Sequence, residues 1–486
     1  MEIEVRNEKW EEDKFFKVRQ EVLSMWPTGK EVDLEEAIEY HKSLPDHKVF
    51  WKVAEKLYRE GRAAVFPRAG TPILEQEIAL NKALIDSGMV FVPVTPDSYC
   101  RLLQFEKAEQ GLKESIRTGQ PKLNGYPTVI HGVKNTRKVV DACGGALCQR
   151  LTNLDTRLMA EIAFASGMTS SMADPLYSFD GYEKHSTVEQ NIGMCQYVMR
   201  LIGYYAERGV ILTQDIDGPG LYLPPSTRLA GVVAEALLGA KQGVKSVTVW
   251  ASITGLNMVQ AIAAARVTRR ILREYLDKLG YQDIITPAIW GGGLPSLPAP
   301  CVPDGGMASL CYGAVVAGLA GVQGFSVRTT DEAAGIPTAE VHAKCHRTAK
   351  WVVDLVREQK ITLDTEETRA EERIVEIEAR AILDKVLELG DGDVAVGLVR
   401  AYDAGVMDSP FSPNVHIKGK ALWVFDNSGA IRYLNYGNLP LPKEAREYNE
   451  RKLAQREKAQ GRKLGYQTVI EDIWALSKGR VKGGLF

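Results

Sequence analysis

Four arginines in this chain follow short apolar runs, each at a point where a β-strand would end. Arg68 closes Ala-Ala-Val-Phe-Pro-Arg-Ala-Gly (63–70). Pro67 there has no N–H for further sheet pairing, and Gly70 lets the backbone approach a ligand closely. Arg101 lies past the run Met89–Val94 and the loop Thr-Pro-Asp-Ser-Tyr-Cys, Arg150 directly ends Ala146–Gln149, and Arg328 directly ends Phe325–Val327. Ligands of α/β folds bind at the carboxyl ends of the strands. Guanidinium forks match carboxylates and phosphates bidentately, and like charges gathered on one face need an anion to compensate them. The pattern predicts a mouth for a small dianionic substrate. Asn124, Ser170, Ser171 and Tyr182, a glycine-rich loop at 290–295, and Arg328 four residues before Glu332 surround the same strand ends.

The ordinary acid–base apparatus is missing. No histidine sits in a Ser-His-Asp setting and no paired catalytic carboxylates stand out, which points to a bound cofactor for the difficult step. His342, Cys345 and His346 share a helical face, but without a His-Glu-x-x-His pattern they read as a packing cluster, so no metal is expected. The seven cysteines are odd in number and show no repeated pair spacing, the usage of reduced thiols.

The elements that must position the arginines follow from periodicity. Residues 1–60 read as helices, a helical arm. From residue 61 to 358, short apolar runs alternate with amphipathic helices. Candidate strands are Ala63–Phe66, Met89–Val94, Thr128–Ile130, Ala146–Gln149, Val210–Thr213, Ser246–Trp250, Ile284–Ile289 and Phe325–Val327, with a weaker one near Met168–Ser170. About eight such repeats predict a (β/α)8 TIM barrel, with a doubly wound open sheet as the alternative. Residues 359–486 form an α+β extension: charged helices at 364–389 and 442–463 flank a hairpin at 421–434. Its few apolar positions suit wrapping the barrel or meeting a partner.

A length of 486 residues exceeds one ordinary core. The net charge of −2 gives no general attraction to nucleic acid or an anionic membrane. The charged start does not read as a signal peptide, and no apolar run approaches the ~20 residues of a membrane span. A cytoplasmic protein is expected.

Several stretches carry a family resemblance. Phe-Pro-Arg-Ala-Gly, Thr-Pro-Asp-Ser-Tyr-Cys-Arg, Leu-Asn-Gly-Tyr-Pro, His-Gly-Val-Lys-Asn-Thr-Arg-Lys-Val, Asp-Glu-Ala-Ala-Gly-Ile-Pro-Thr and Tyr-Asp-Ala-Gly-Val-Met-Asp-Ser-Pro-Phe resemble the large (epsilon) subunit of glutamate mutase, also called methylaspartate mutase, nearly end to end. The resemblance implies a TIM barrel and an adenosylcobalamin-dependent radical exchange between L-glutamate and threo-3-methylaspartate. It also implies a small cobalamin-binding (sigma) subunit with an Asp-x-His-x-x-Gly motif, joined to a homodimer of this chain in a heterotetramer. None of the seven histidines here has Asp two positions before it. The partner is therefore expected to hold most of the cofactor.

By the same resemblance, Arg68, Arg101 and Arg150 grip the substrate carboxylates, with Tyr182 beside them. Gly70, Asn124, Gly181, Leu294, Arg328, Glu332 and Ile336 match positions around the adenosyl group. The departures are specific. Met172 stands where the family has a glutamate for the substrate ammonium. Ser178 stands where it has a tyrosine, with Tyr177 adjacent. Leu151 replaces a histidine, Gly181 a proline, Leu294 an aromatic residue and Arg328 a lysine. Two readings follow: another acid, with Asp174 and Asp180 nearest in sequence, reaches the ammonium, or the substrate is a dicarboxylate without an amino group. A metal-dependent barrel lyase and a noncatalytic scaffold are the more distant alternatives.

Overall fold

A computed structural model describes residues 3–476, apart from 151–152, 221–222, 252–256, 292–302, 332–334 and 336. Eight parallel strands form one sheet: β1 (Ala64–Phe66), β2 (Phe91–Val94), β3 (Ala146–Gln149), β4 (Ser170–Met172), β5 (Thr213–Ile216), β6 (Ser246–Ala251), β7 (Ile289–Gly291) and β8 (Gly324–Ser326). Each strand pairs with its neighbour in sequence from β2 to β8, and β8 returns to β1. The Thr95 N–H donates to the Ala69 carbonyl at 2.9 Å, which brings β1 and β2 together and completes the ring. The chain is a (β/α)8 barrel with helices outside.

Two strand expectations need correcting. Thr128–Ile130 is the first turn of a helix, Thr128–Ala142, entered from Pro127. Three β-branched or apolar residues are too few to show a period, and tertiary packing decides. The weak candidate near Met168–Ser170 is the true β4, two residues later. Its Ser-Ser-Met composition hides it, because strand ends that face a site are polar. The β5 and β7 ladders also begin later than expected; Ile285 makes only an isolated bridge to Ser246.

The barrel interior is aromatic. Phe66, Phe91, Trp250 and Trp290 pack with Ala64, Ala146, Cys148 and Ala288. The N-terminal end is closed by the helix Phe50–Arg59, whose Phe50 ring lies 4.6 Å from Phe91 and 5.8 Å from Trp290. The Phe50 N–H donates to Thr169 Oγ1 at 3.0 Å and fixes the plug to the strand β4 edge. This helix belongs to the expected arm, yet its apolar side is barrel core.

The hairpin β9 (Trp423–Phe425) and β10 (Ile431–Tyr433) follows the barrel. The helix Glu366–Leu389 buries Val375, Ala379, Ile382, Leu383 and Val386 against barrel helices. Arg432, 2% exposed, reaches Glu371 at 2.8 Å and Asp426 at 2.9 Å. The Tyr433 hydroxyl meets Thr227 Oγ1 of a barrel helix at 2.6 Å. The extension is thereby strapped along the barrel flank through buried polar contacts. Among the described residues no helix is long and apolar enough to cross a membrane.

Strand β8 begins with Gly324 directly beside Trp290 of β7. A Cβ at Gly324 would lie 1.9 Å from the Trp290 ring. Gly324→Ala should therefore cost about 1–3 kcal/mol of stability through overpacking, with a perturbed tryptophan emission. An unchanged melting temperature would mean that the indole can move aside.

Candidate active site

Inward positions repeat every second residue along each strand. On β3 this period places Arg150 after Cys148, at the carboxyl end of the barrel. Its Nη1 donates to Asp215 Oδ2 at 2.6 Å and its Nη2 to Asp217 Oδ2 at 3.1 Å. The guanidinium carbon lies over Trp250, 3.7 Å from the ring centroid. Asp215 takes two more donors on its other oxygen, Trp250 Nε1 at 2.8 Å and Thr248 Oγ1 at 3.1 Å. Burial pushes the Asp215 carboxyl upward, opposed by Arg150 and by these two donors. Both of its oxygens accept hydrogen bonds, which favours the charged form against the burial.

Asp217, two residues further toward the mouth, also takes Arg228 Nη2 on Oδ1 at 2.5 Å. Asp174 Oδ2 accepts the Asp217 N–H at 2.9 Å and holds this loop in place. The compensating anions expected for clustered arginines are thus partly internal. Sequence reasoning missed Asp215 and Asp217 because the fifth strand was placed at 210–213. Placed at 213–216, Thr-Gln-Asp-Ile has Asp215 on the inward face at the site end.

Met172 is in register with Asp215. The thioether side chain is therefore on the inner face, in the same layer as the ion pair, and 3% exposed. The nearest acids by sequence are committed elsewhere. Asp180 accepts Ser409 Oγ at 2.5 Å and Tyr402 at 3.3 Å from the extension, and burial pushes it up to about 7. Asp174 is fully buried behind the Asp217 backbone.

The helix Pro175–Gly181 carries the next group. Tyr177, not Ser178, joins the mouth: it is hydrogen-bonded to Tyr182, their rings 5.5 Å apart, and it senses the charges of Asp217 and Arg68. Burial raises its phenol well above the usual range, so it stays neutral. Ser178 is fully buried, and its hydroxyl has no partner among the described residues. A Cβ at Gly181 would meet nothing within 4 Å, so the position has open space.

Arg68, Gly70, Arg101 and Asn124 converge on a cleft of about 800 Å³ between the loops that follow β1, β2 and β8. Gly335, Thr338 and His342 complete its far wall. Arg101 is half-buried. Its Nε has no hydrogen-bond partner among the described residues, and its Nη2 reaches only Ser98 Oγ at 3.4 Å. Burial lowers its pKa; Tyr182 and Asp97 oppose this, and Arg68 adds to it. Asn124 Oδ1 accepts the Ser98 N–H at 2.9 Å and the Ser98 hydroxyl at 2.8 Å, which ties the loop to the turn carrying Arg101. Gly70 has a reason of its own: a Cβ would lie 2.5 Å from the Thr95 carbonyl oxygen. Its backbone lines the cleft all the same.

Arg150 is not part of that cleft; it sits nearer the barrel axis, with Phe66 of β1 5.7 Å from its guanidinium. Arg328 is half-buried just past β8. Leu294, Glu332 and Ile336 lie outside the described residues. Among the described residues no three His, Cys, Asp or Glu side chains gather as a metal-binding group. His342 and His346 stack 5.6 Å apart. Burial lowers them to about 4 and about 3, His346 being lowered further by His342.

Those two histidines set a pH dependence. Their folded pKa values lie below the unfolded value, so as pH falls the unfolded chain takes up protons first and stability is lost between about 6.5 and 4. Glu77 and Glu378, both raised by burial to about 7, have the opposite sign, so a variant must isolate the histidine effect. Neither ring nitrogen of His346 has a partner among the described residues, which makes phenylalanine a fair isostere. In urea titrations, His346→Phe should lose less stability than wild type between pH 7 and 4.5, by more than ~1 kcal/mol. Parallel curves would show that His346 is charged in the fold.

Comparison with known proteins adds an independent finding. The family described as Methylaspartate mutase E chain (MutE) matches residues 44–484. A glutamate mutase epsilon subunit from Treponema denticola is 38% identical, covering 98% of each chain. The one from Haloarcula marismortui is 35% identical over 98% of this chain and 96% of its own. That from Fusobacterium nucleatum is 27% identical over 97% of each.

Proposed function

The chain belongs to the methylaspartate mutase E chain family, whose members are cobalamin-dependent isomerases, and we propose that it is the catalytic large subunit that interconverts L-glutamate and threo-3-methylaspartate. The observation that carries the acidic substrate is the pair Arg68 and Arg101 on one cleft. Arg101 is half-buried and its Nε has no hydrogen-bond partner among the described residues, which is costly unless a ligand supplies the acceptor.

The cleft suits an adenosyl group. Gly70 exposes backbone, Asn124 offers an amide beside it, and Thr338 and Gln76 line apolar walls of Ala79 and Leu80. Gly70, Asn124 and Arg328 would hold that group, with Gly181, Leu294, Glu332 and Ile336 assigned by family position. When bound, adenosylcobalamin supplies the radical that removes a substrate hydrogen atom. The work of this chain is positional. Arg68, Arg101 and Arg150 orient the carboxylates, and Tyr177 and Tyr182 close over them. The aromatic barrel floor keeps water from below the reacting carbons. No side chain need exchange a proton for the skeleton to rearrange, in keeping with the neutral tyrosine and the arginine-lined walls.

A small sigma subunit with an Asp-x-His-x-x-Gly motif would carry the corrin, with two copies of this chain in a heterotetramer. The pure full chain should accordingly show no corrinoid absorption after gel filtration with adenosylcobalamin. A stoichiometric visible spectrum surviving that step would move the cofactor onto this chain.

Arginine replacement tests the grip. Arg68→Lys and Arg101→Lys replace a fork with a point charge, and should cut turnover of the reconstituted complex about tenfold to a hundredfold with melting temperature little changed. Arg150→Lys should also lower the melting temperature, because it abandons two aspartates and Trp250. Near-normal kinetics in all three would sink the carboxylate grip.

A further inference from the structure

The mouth holds a carboxylate that the family assignments leave without a role. Among the described residues, each oxygen of Asp217 takes one arginine N–H, from Arg228 and Arg150, where each has two lone pairs. It is half-buried rather than sealed, unlike Asp215 beneath it. Asp215 already receives Arg150, Trp250 and Thr248. Asp217 also influences Tyr177, the ring that links this corner to Arg68 and Tyr182.

Charge decides what can dock there. A carboxylate brought to Arg150 meets a guanidinium that already faces two carboxyl groups. A third, bare one adds like-charge repulsion in a partly desolvated place. A carboxylate with an ammonium on the adjoining carbon carries its own compensation, toward the side where Asp217 stands. Met172, in the layer of Asp215, offers a thioether and no charge.

Resting on the dicarboxylate reading above, we propose that Asp217 is the specificity-determining acceptor of the substrate ammonium, so that the site selects an α-amino dicarboxylate over the same skeleton without its amino group. The acid that accepts the ammonium has moved from the end of β4 to the loop after β5.

Binding of L-glutamate and of glutarate, the same five-carbon skeleton without the amino group, tests this on the full chain reconstituted with its cobalamin subunit, by titration calorimetry. Wild type should bind glutamate at least about tenfold more tightly than glutarate. Asp217→Asn should weaken glutamate by about tenfold or more and leave glutarate unchanged or tighter. Met172→Glu added to Asp217→Asn should restore the preference for glutamate. Equal loss of both ligands in Asp217→Asn would reduce Asp217 to a prop for Arg150 and overturn the proposal. So would equal affinities in wild type, a comparison that needs no variant to fold. If wild type binds neither ligand, the dicarboxylate reading itself fails and the proposal with it.

Discussion

One buried contact organises the mouth of this barrel: the Arg150 guanidinium, lying over Trp250 and bridged to Asp215 and Asp217. Stripping water from such charges costs several kcal/mol per ion and is offset only by near-ideal partners. Here the partners come from several strands and a loop. Arg150 ends β3, Asp215 lies in β5, Trp250 and Thr248 lie in β6, and Asp217 begins the loop that Arg228 and Asp174 hold. Strands β3, β5 and β6 and the loop after β5 are thereby tied together by one charge network. Removing one member would strand the others, at about 3–5 kcal/mol for a buried pair.

The remainder of the fold protects that arrangement. Below it, Phe66, Phe91, Trp250 and Trp290 fill the barrel, and the helix Phe50–Arg59 stoppers the far end. A floor of large rings has few rotamers and leaves little room for the strands to shift. On the flank, the extension ties down the helices behind the site. Asp180 illustrates the coupling: it sits in the helix that delivers Tyr177 and Tyr182, and its carboxylate is anchored to Ser409 and Tyr402 of the extension. The tyrosine pair is positioned from outside the barrel.

The mouth has two sectors of different character. Near β1, β2 and β8, a roomy cleft is lined by Arg68, Arg101, Gly70 and Asn124, and Arg101 Nε has no hydrogen-bond partner among the described residues. Near β3 to β6, Arg150 is charge-compensated and packed on Trp250. The first sector suits a large polar group that enters and leaves; the second suits a small substrate end held in one orientation. Tyr177 and Tyr182 stand between them.

Much of this was legible in residue types. Alternating apolar runs and helices predict the barrel, because each strand and helix must bury a face locally. Arg68, Arg101 and Arg150 reveal themselves because a charge directly after a buried strand has few places to go. Gly70, Asn124 and Tyr182 are tied to the site by the family motifs. Register is another matter. A strand of three or four residues, such as Ser170–Met172 or Thr213–Ile216, carries too little periodicity to show where pairing starts, and a shift of one residue turns every side chain to the other face. That is why Thr128–Ile130 reads as a strand and is a helix, and why Asp174 and Asp180 are the acids near Met172 in sequence while Asp215 is its partner across the sheet. Closeness across a barrel comes from strands tens of residues apart in the chain, 33 for Thr248 and Asp215, and no local pattern encodes it. The arginines are written in the sequence; their counter-ions are set by how the barrel closes.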